Sequence, residues 1–244
     1  MKPFLLIGTR PEDAAADGEL DAVLRFGGLD ASTLVRVRLE AGPLPELDLD
    51  DVSGIIVGGS PFNASDPAEE KSATQLRVEA ELSTLLDEVV ERDLPFLGAC
   101  YGVGTLGVHE GGLVDRTYGE AVGAGEVALT AEGRADPIFA GIPHRFSAFV
   151  GHKEAIHVPP PHAVVLASSA TCPVQAFRVK QNLYATQFHP ELDVPGIVTR
   201  IGVYRHAGYF PAETTDSLIA EVSRQVVVHP PRVLANFVRR YARP

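Results

Sequence analysis

Short apolar runs alternate with longer amphipathic stretches along the first hundred residues of the chain. Apolar runs of this length are typical of buried strands, and apolar positions spaced roughly every three or four residues are typical of the helices packed on them. The predicted strands are residues 4–7, 33–39, 54–57 and 94–97. The predicted helices are residues 13–26, ended by Gly27-Gly28, and residues 67–90, capped by Asp66. This alternation predicts an α/β fold with a mainly parallel, flavodoxin-like sheet and helices on both faces.

The second half of the chain changes to shorter strand-like segments separated by Gly, Pro and Asn. These segments are residues 122–130, 145–150, 164–168, 174–179 and 183–188, and they predict antiparallel or mixed strands added to the same core. Helical patterns return at residues 194–206, 215–227 and 231–241. Because no repeat or linker interrupts the chain, we expect a single domain over residues 1–244, with a core of about 1–193 and a helical C-terminal extension of about 194–244.

The composition narrows the classes of function. With a formal net charge of −11, the chain lacks the basic face that binding to nucleic acid or to a membrane surface requires. We therefore expect neither nucleic acid nor a membrane as a partner. No apolar run approaches the ~20 residues that span a bilayer, and residues 1–8 are predicted to be the first strand rather than a signal peptide. Cys100 and Cys172 are too few for a disulfide framework, which favours a cytoplasmic location, and Cys172 is expected to be structural. Without a CxxC or HExxH motif we expect no metal and no cofactor.

The pentapeptide Gly98-Ala99-Cys100-Tyr101-Gly102 directly follows the fourth predicted strand. A buried strand that runs into a helix through a cysteine flanked by glycines is the sulfur version of the nucleophile elbow. The positive end of the helix that starts near Tyr101 is expected to favour the thiolate. Taken alone, the pattern is equally consistent with a buried cysteine that only packs.

A cysteine nucleophile needs a base, and the base needs a group that orients it. His189 follows a predicted strand, as Cys100 does, and Pro190 fixes the backbone between His189 and Glu191. Residues i and i+2 of an extended segment point the same way, so Glu191 is expected to reach the ring nitrogen that faces away from the sulfur. A surface His-Pro-Glu turn is the alternative for this motif alone.

Together these motifs resemble the class I glutamine amidotransferase family, which carries its cysteine in Gly-x-Cys-x-Gly and its histidine and glutamate in His-Pro-Glu. The resemblance runs from about Gly54 to Glu191 and includes Gly58-Gly59-Ser60-Pro61, which stands where the family has its oxyanion loop. The motifs are most similar to those of the glutaminase part of GMP synthase and its free-standing relatives.

The resemblance implies a catalytic triad of Cys100, His189 and Glu191, with the backbone N–H groups of Gly59 and Tyr101 as the oxyanion hole. It also implies that the side-chain amide of glutamine is hydrolysed through a cysteine thioester to glutamate and ammonia. In the family the ammonia passes to a synthetase site that aminates an acceptor, so a synthetase partner subunit is expected.

Gly104 departs from the family, which usually has a substrate-binding glutamine four residues after the cysteine. This departure leaves two substrates open, glutamine and another γ-glutamyl compound. Weaker candidates for substrate binding are Gly58, His152 and Glu154, and a polar turn is the alternative for the last two. Glu120 is expected to be an exposed strand residue.

Three functions stay open: a glutaminase subunit, a γ-glutamyl hydrolase, and a binding or regulatory protein that kept the fold without turnover. The basic segments 200–205 and 239–241 are interpreted as solvated helix faces in an otherwise acidic chain. A docking or dimer surface is the alternative for these segments, so a homo-oligomer also stays open.

Overall fold

Eleven strands form two sheets in the computed structural model, which describes residues 1–244. The strands are β1 (Phe4–Gly8), β2 (Leu34–Arg38), β3 (Gly54–Val57), β4 (Phe96–Ala99), β5 (Leu113–Asp115), β6 (Glu120–Leu129), β7 (Arg145–His152), β8 (Ala155–Val158), β9 (Val164–Ser168), β10 (Ala176–Val179) and β11 (Leu183–Thr186). Nine of them form one sheet in the order β2-β1-β3-β4-β11-β10-β9-β6-β7, and β5 and β8 pair separately.

One half of the large sheet is parallel and the other half is antiparallel. The neighbours β2, β1, β3, β4 and β11 all run parallel, whereas β10, β9, β6 and β7 pair antiparallel. The prediction of a mainly parallel sheet extended by added antiparallel strands is therefore confirmed. The order β2-β1-β3-β4 is that of a flavodoxin-like sheet, in which ligands bind beyond the carboxyl ends of the strands.

Helices cover both faces of the sheet, as the pattern predicts. They are α1 (Asp13–Gly27), α2 (Ala73–Glu91), α3 (Tyr101–His109), α4 (Ala131–Ala135), α5 (Val194–Val203), α6 (Thr215–Val222) and α7 (Pro231–Tyr241). Successive residues of β1 enter opposite cores: Phe4 joins a cluster with Phe237 of α7, and Leu5 joins a cluster with Leu82 of α2. No helix combines the length and the apolar character needed to cross a membrane.

The predicted start and cap of the second helix are wrong, and one small sheet was not predicted. Helix α2 begins at Ala73 because Ser72 caps it, accepting a hydrogen bond from the Gln75 N–H at 3.1 Å. Asp66, the predicted cap, instead accepts hydrogen bonds from Asn63 and Arg116. The small sheet of β5 and β8 was not predicted, because its strands are only three and four residues long and show no clear alternation.

The C-terminal helices pack on the rest of the chain at two places. Helices α5 and α6 are shorter than predicted, ending at Val203 and Val222, and they contribute to a small apolar cluster with Phe149 of β7. Helix α7 lies against α1, and the Phe237 and Phe4 ring centroids are 6.0 Å apart. Beyond α7, the Arg243 carbonyl accepts a hydrogen bond from the Lys2 N–H at 2.9 Å.

The turn from β4 to α3 brings strand and helix into backbone contact. Cys100 occupies this turn with φ 54° and ψ −90°, outside the regions that L-residues favour. A Cβ on Gly98 would lie 2.8 Å from the backbone carbonyl carbon and oxygen of Gly102, closer than packed atoms approach. The elbow therefore requires a residue without a side chain at position 98.

The substitution Gly98→Ala is expected to lower the free energy of unfolding by about 1–3 kcal/mol, because the added methyl group forces the helix away from the strand. Gly18→Ala is the matched control, since Gly18 is exposed within α1 and has no atom within 4 Å of the added methyl group. That variant is expected to be more stable than the wild type by about 1 kcal/mol. Urea denaturation followed by circular dichroism measures both, and a Gly98→Ala protein of wild-type stability would contradict the close contact.

Candidate active site

The register of three neighbouring parallel strands brings the predicted site residues to one edge of the sheet. Gly98 of β4 lies opposite Val57 of β3 on one side and Ala185 of β11 on the other. The segments that follow these strands carry Gly58-Gly59, Cys100 and His189 respectively. Because all three strands end at the same edge, the loop, the thiol and the imidazole meet there.

Backbone hydrogen bonds connect the elbow and His189 to neighbouring parts of the sheet. The Cys100 N–H donates a hydrogen bond to the Thr186 carbonyl at 2.8 Å, and the His189 N–H donates to the Phe149 carbonyl of β7 at 3.0 Å. Cys100 and His189 both line one cleft. Rigid backbone on both sides therefore holds the sulfur and the imidazole in one cleft.

Glu191 orients the imidazole in the way its spacing predicts. Its Oε1 lies 2.8 Å from Nδ1 of His189, and both side chains are buried. Nη1 of Arg200 also lies 3.0 Å from this Nδ1. When the Nδ1–H is donated to the carboxylate, the lone pair of the neutral ring is on Nε2. The structure therefore pairs His189 with Glu191 and places Cys100 and His189 in the same cleft.

Three buried charges beside this group were missed from the sequence. Arg200 of α5 donates Nη2 to Oε1 of Glu191 at 2.9 Å and to Oε1 of Glu19 at 3.2 Å. Arg10, just beyond β1, donates Nε to the same Glu19 oxygen at 3.2 Å. Two arginines and two glutamates therefore form a neutral buried network behind the imidazole.

The signals for these charges differ in strength. Arg10 follows the carboxyl end of a predicted strand, where site residues are expected, and this position could have identified it. Glu19 and Arg200 lie inside helices, where isolated charges normally face solvent. Nothing in the local sequence separates Glu19 from the other charges of α1, and Arg200 is the single charge of α5.

The Gly58-Gly59 loop lies against Glu19. The Gly59 N–H donates to Oε1 of Glu19 at 3.2 Å, so this predicted oxyanion donor is already engaged. A Cβ on Gly58 would collide with the same carboxylate, and Gly58 does not line the cleft as a predicted substrate contact should. The N–H of Ser60 makes no hydrogen bond within the protein, and that of Tyr101 opens α3, where helical N–H groups have no partner inside the helix.

Burial controls the charge of the thiol and the imidazole. It raises the pKa of Cys100 to about 12, although the positive charge of Arg10 acts in the opposite direction. Burial also lowers the pKa of His189 to about 4, and the attraction of Glu191 only partly opposes this. Desolvation in the free site therefore opposes the thiolate that the helix end is predicted to favour.

Glu191 behaves differently from its neighbours. Burial alone would raise the pKa of its carboxyl group, but the charges of His189 and Arg200 together lower that pKa well below the usual range. At neutral pH the site therefore contains a thiol, a neutral imidazole and an ionised carboxylate.

A second, polar part of the cleft continues from Cys100 on the other side. This polar lobe is lined by Phe62, Asn63, Gly104, His152, Lys153 and Glu154. The oxygens of Glu154 accept hydrogen bonds from the Ala64 and Ser65 N–H groups at 2.7 and 2.8 Å. A Cβ on Gly104 would lie 3.4 Å from Oε1 of Glu154, so the missing side chain leaves room for this carboxylate.

His152 is supported by a buried polar group behind the polar lobe. Glu120 lies 2.9 Å from Nε2 of His152 and accepts from Gln175, so the expectation of an exposed residue is wrong. The thiol of Cys172 lies nearby, and burial raises its pKa to about 12. Glu120, His152 and Cys172 each place one potential metal ligand within 4.8 Å of the others. Glu120 already accepts hydrogen bonds, and Cys172 remains a thiol, which is a poor metal ligand. The arrangement therefore indicates that Glu120 positions His152 rather than that the three residues bind a metal.

Comparison with known proteins places this geometry in a family. The model of the family described as glutamine amidotransferase class-I matches residues 30–195. The chain belongs to the class I glutamine amidotransferases. The matched segment runs from β2 to the start of α5 and so includes Cys100, His189 and Glu191.

Two curated relatives illustrate where the similarity lies. GMP synthase [glutamine-hydrolyzing] of Thermomicrobium roseum is 33% identical over 180 residues, which cover 71% of this chain and 30% of the relative. A single subunit of the GMP synthase [glutamine-hydrolyzing] of Thermococcus kodakarensis is 28% identical over 170 residues, covering 69% of this chain and 80% of that subunit. The matched part spans about a third of the length of the curated relatives matched first.

A solved structure of similar shape extends over the whole chain. A glutamine amidotransferase from Thermotoga maritima superposes with a TM-score of 0.78 at 19% identity, covering 99% of this chain and 98% of that one. At this identity the likeness concerns the fold alone, and it includes the C-terminal helices.

The neutral thiol–imidazole pair predicts an unusual pH profile for the reaction of Cys100 with a glutamine-like electrophile. If His189 removes the thiol proton during attack, the rate is expected to stay flat between about pH 5.5 and 9 and to fall only as His189 takes up a proton. Because the pKa of His189 is lowered to about 4, that fall is expected near pH 4 instead of near 6.5.

Rates of alkylation followed by mass spectrometry measure this profile, and circular dichroism checks that the fold persists at each pH. His189→Asn is the matched variant, and its rate is expected to rise about tenfold per pH unit because only the rare thiolate reacts. The same steep rise in the wild type would show that His189 does not serve Cys100.

Proposed function

We propose that this chain hydrolyses the side-chain amide of glutamine through a thioester on Cys100, releasing glutamate and ammonia. The observation that carries the proposal is the half-buried Cys100 in one cleft with a His189 whose Nδ1 is held 2.8 Å from Glu191. Membership of the class I glutamine amidotransferases supports the choice of glutamine.

Each member of the group has a physical role in this reaction. The sulfur of Cys100 attacks the amide carbon while its proton moves to Nε2 of His189. His189 then gives that proton to the departing nitrogen, and later takes one from the water that hydrolyses the thioester. Glu191 keeps the proton on Nδ1 and stabilises the imidazolium that forms in between.

The developing oxyanion needs backbone donors at the elbow and the loop. The N–H groups of Tyr101 and Ser60 lack partners inside the protein, and that of Gly59 becomes available if Glu19 releases it. In comparable sites the loss of one such donor costs roughly 3 kcal/mol of transition-state stabilisation. The loop therefore contributes to the rate through backbone geometry rather than through a side chain.

The ammonia is proposed to pass to a separate synthetase subunit. This rests on the similarity to the Thermococcus kodakarensis relative, which is named as one subunit of a GMP synthase and most of whose length the match covers. The acceptor is a molecule with a carbonyl-type carbon, whose oxygen the synthetase converts into a leaving group before ammonia attacks that carbon.

Cys100→Ala is expected to abolish the release of glutamate from glutamine, because no other side chain in the cleft can form the thioester. Cys172→Ala is the matched control, since the only other thiol is buried behind β6 and takes no part in the proposed reaction. A coupled glutamate dehydrogenase assay measures the release for both variants.

Labelling distinguishes an enzyme from a protein that only binds. A glutamine-like electrophile is expected to modify the wild type and Cys172→Ala once, at Cys100, and to leave Cys100→Ala unmodified. Glutamate release that persists in Cys100→Ala would overturn the proposal. So would the absence of both labelling and release in the wild type, which would favour the non-catalytic alternative.

A further inference from the structure

The cleft at Cys100 has a second lobe that glutamine does not need. This apolar lobe is lined by Val122, Ile197, Ile201, Tyr204 and Phe210. The polar lobe on the other side of the sulfur has the charged and amide groups that suit a glutamyl α-ammonium and α-carboxylate. Ammonia is a single polar heavy atom, so a lobe lined by these large apolar side chains has no use in releasing it.

His189 shows which lobe receives the departing nitrogen. Cys100 lines both lobes, whereas His189 lines only the apolar lobe. The group that protonates the leaving nitrogen has to face it, so any substituent on that nitrogen extends into the apolar lobe. The polar lobe is then left for the glutamyl part.

One polar group in the apolar lobe has an unused donor. Arg10 is buried, and its Nε and Nη1 donate to Glu19 and to the Tyr204 hydroxyl at 3.2 and 3.0 Å. Its Nη2 donates to no protein group and lies so close to Gly59 that a Cβ there would collide with it. A guanidinium N–H held in this way next to the reacting centre suits a carboxylate oxygen.

We infer that the site accepts γ-glutamyl dipeptides whose second residue has a bulky apolar side chain, which enters the apolar lobe while its carboxylate meets Nη2 of Arg10. This rests on the proposed thioester chemistry of Cys100. Sulfur adds to the γ-carboxyl carbon, the bond from that carbon to nitrogen then breaks, and the thiol proton passes through His189 to the departing α-amine. Water then replaces sulfur, so one dipeptide and one water give glutamate and a free amino acid.

The test compares kcat/KM of the wild-type chain for four substrates. γ-Glutamyl-leucine and γ-glutamyl-glycine differ only in the side chain that the apolar lobe would bind. The γ-glutamyl amide of 3-methylbutylamine keeps the same branched chain as leucine but lacks the carboxylate. We expect γ-glutamyl-leucine to exceed the other two and glutamine by about tenfold or more.

A pair of variants tests the location of the second residue. Val122→Phe fills the apolar lobe and is expected to reduce the ratio of kcat/KM for γ-glutamyl-leucine over γ-glutamyl-glycine at least about fivefold. Val226→Phe makes the same change at a residue that is 74% exposed and lines neither lobe, and it is expected to keep the wild-type ratio.

The outcomes separate this inference from the proposed function. Equal kcat/KM for γ-glutamyl-leucine and γ-glutamyl-glycine, or turnover of glutamine alone, overturns the inference while the glutaminase proposal stands. Equal kcat/KM for γ-glutamyl-leucine and the branched amide overturns the role of Arg10. Failure of all four substrates together with no labelling of Cys100 overturns the inference and the proposed function alike.

Discussion

Backbone contact between β4 and α3 leaves no space for a side chain at Gly98, and Cys100 leaves the strand with φ 54°. A residue in that conformation cannot continue the strand or start an ordinary helix turn, so its side chain stands at the carboxyl edge of the sheet. The loop after β3 and the histidine after β11 lie beside it only because both strands pair in parallel with β4. The candidate site is therefore a property of strand register as much as of the residues in it.

The buried charges behind His189 stabilise one another by ion pairing, so this edge of the sheet holds charged groups away from solvent. Arg10 and Arg200 balance Glu19 and Glu191, so no member is left uncompensated. Removing one partner from such a network typically costs about 3–5 kcal/mol, because the remaining charge stays buried. Arg200 comes from α5, so the C-terminal helices contribute to the electrostatics of the imidazole as well as to the apolar lobe.

The residues that the sequence could identify are those whose position follows from strand ends. Cys100, His189 and Glu191 come directly after apolar runs, and parallel strands bring such positions together. Glu19 and Arg200 could not be identified, because a charge within a helix gives no sign of what packs against that face. The engagement of the Gly59 N–H and the neutral state of the thiol depend on Glu19 and on burial, and neither can be derived from spacing.

The pairing of Lys2 with Arg243, and of Phe4 with Phe237, joins segments from opposite ends of the sequence. Strand β1 is synthesised long before α7, so the part of its face that Phe237 covers stays open until α7 is complete. Contacts of such large sequence separation are slow to form, and apolar surfaces that wait for them are prone to aggregate. The parallel half of the sheet, and with it the register that assembles the cleft, is therefore expected to close late, after α7 has been synthesised.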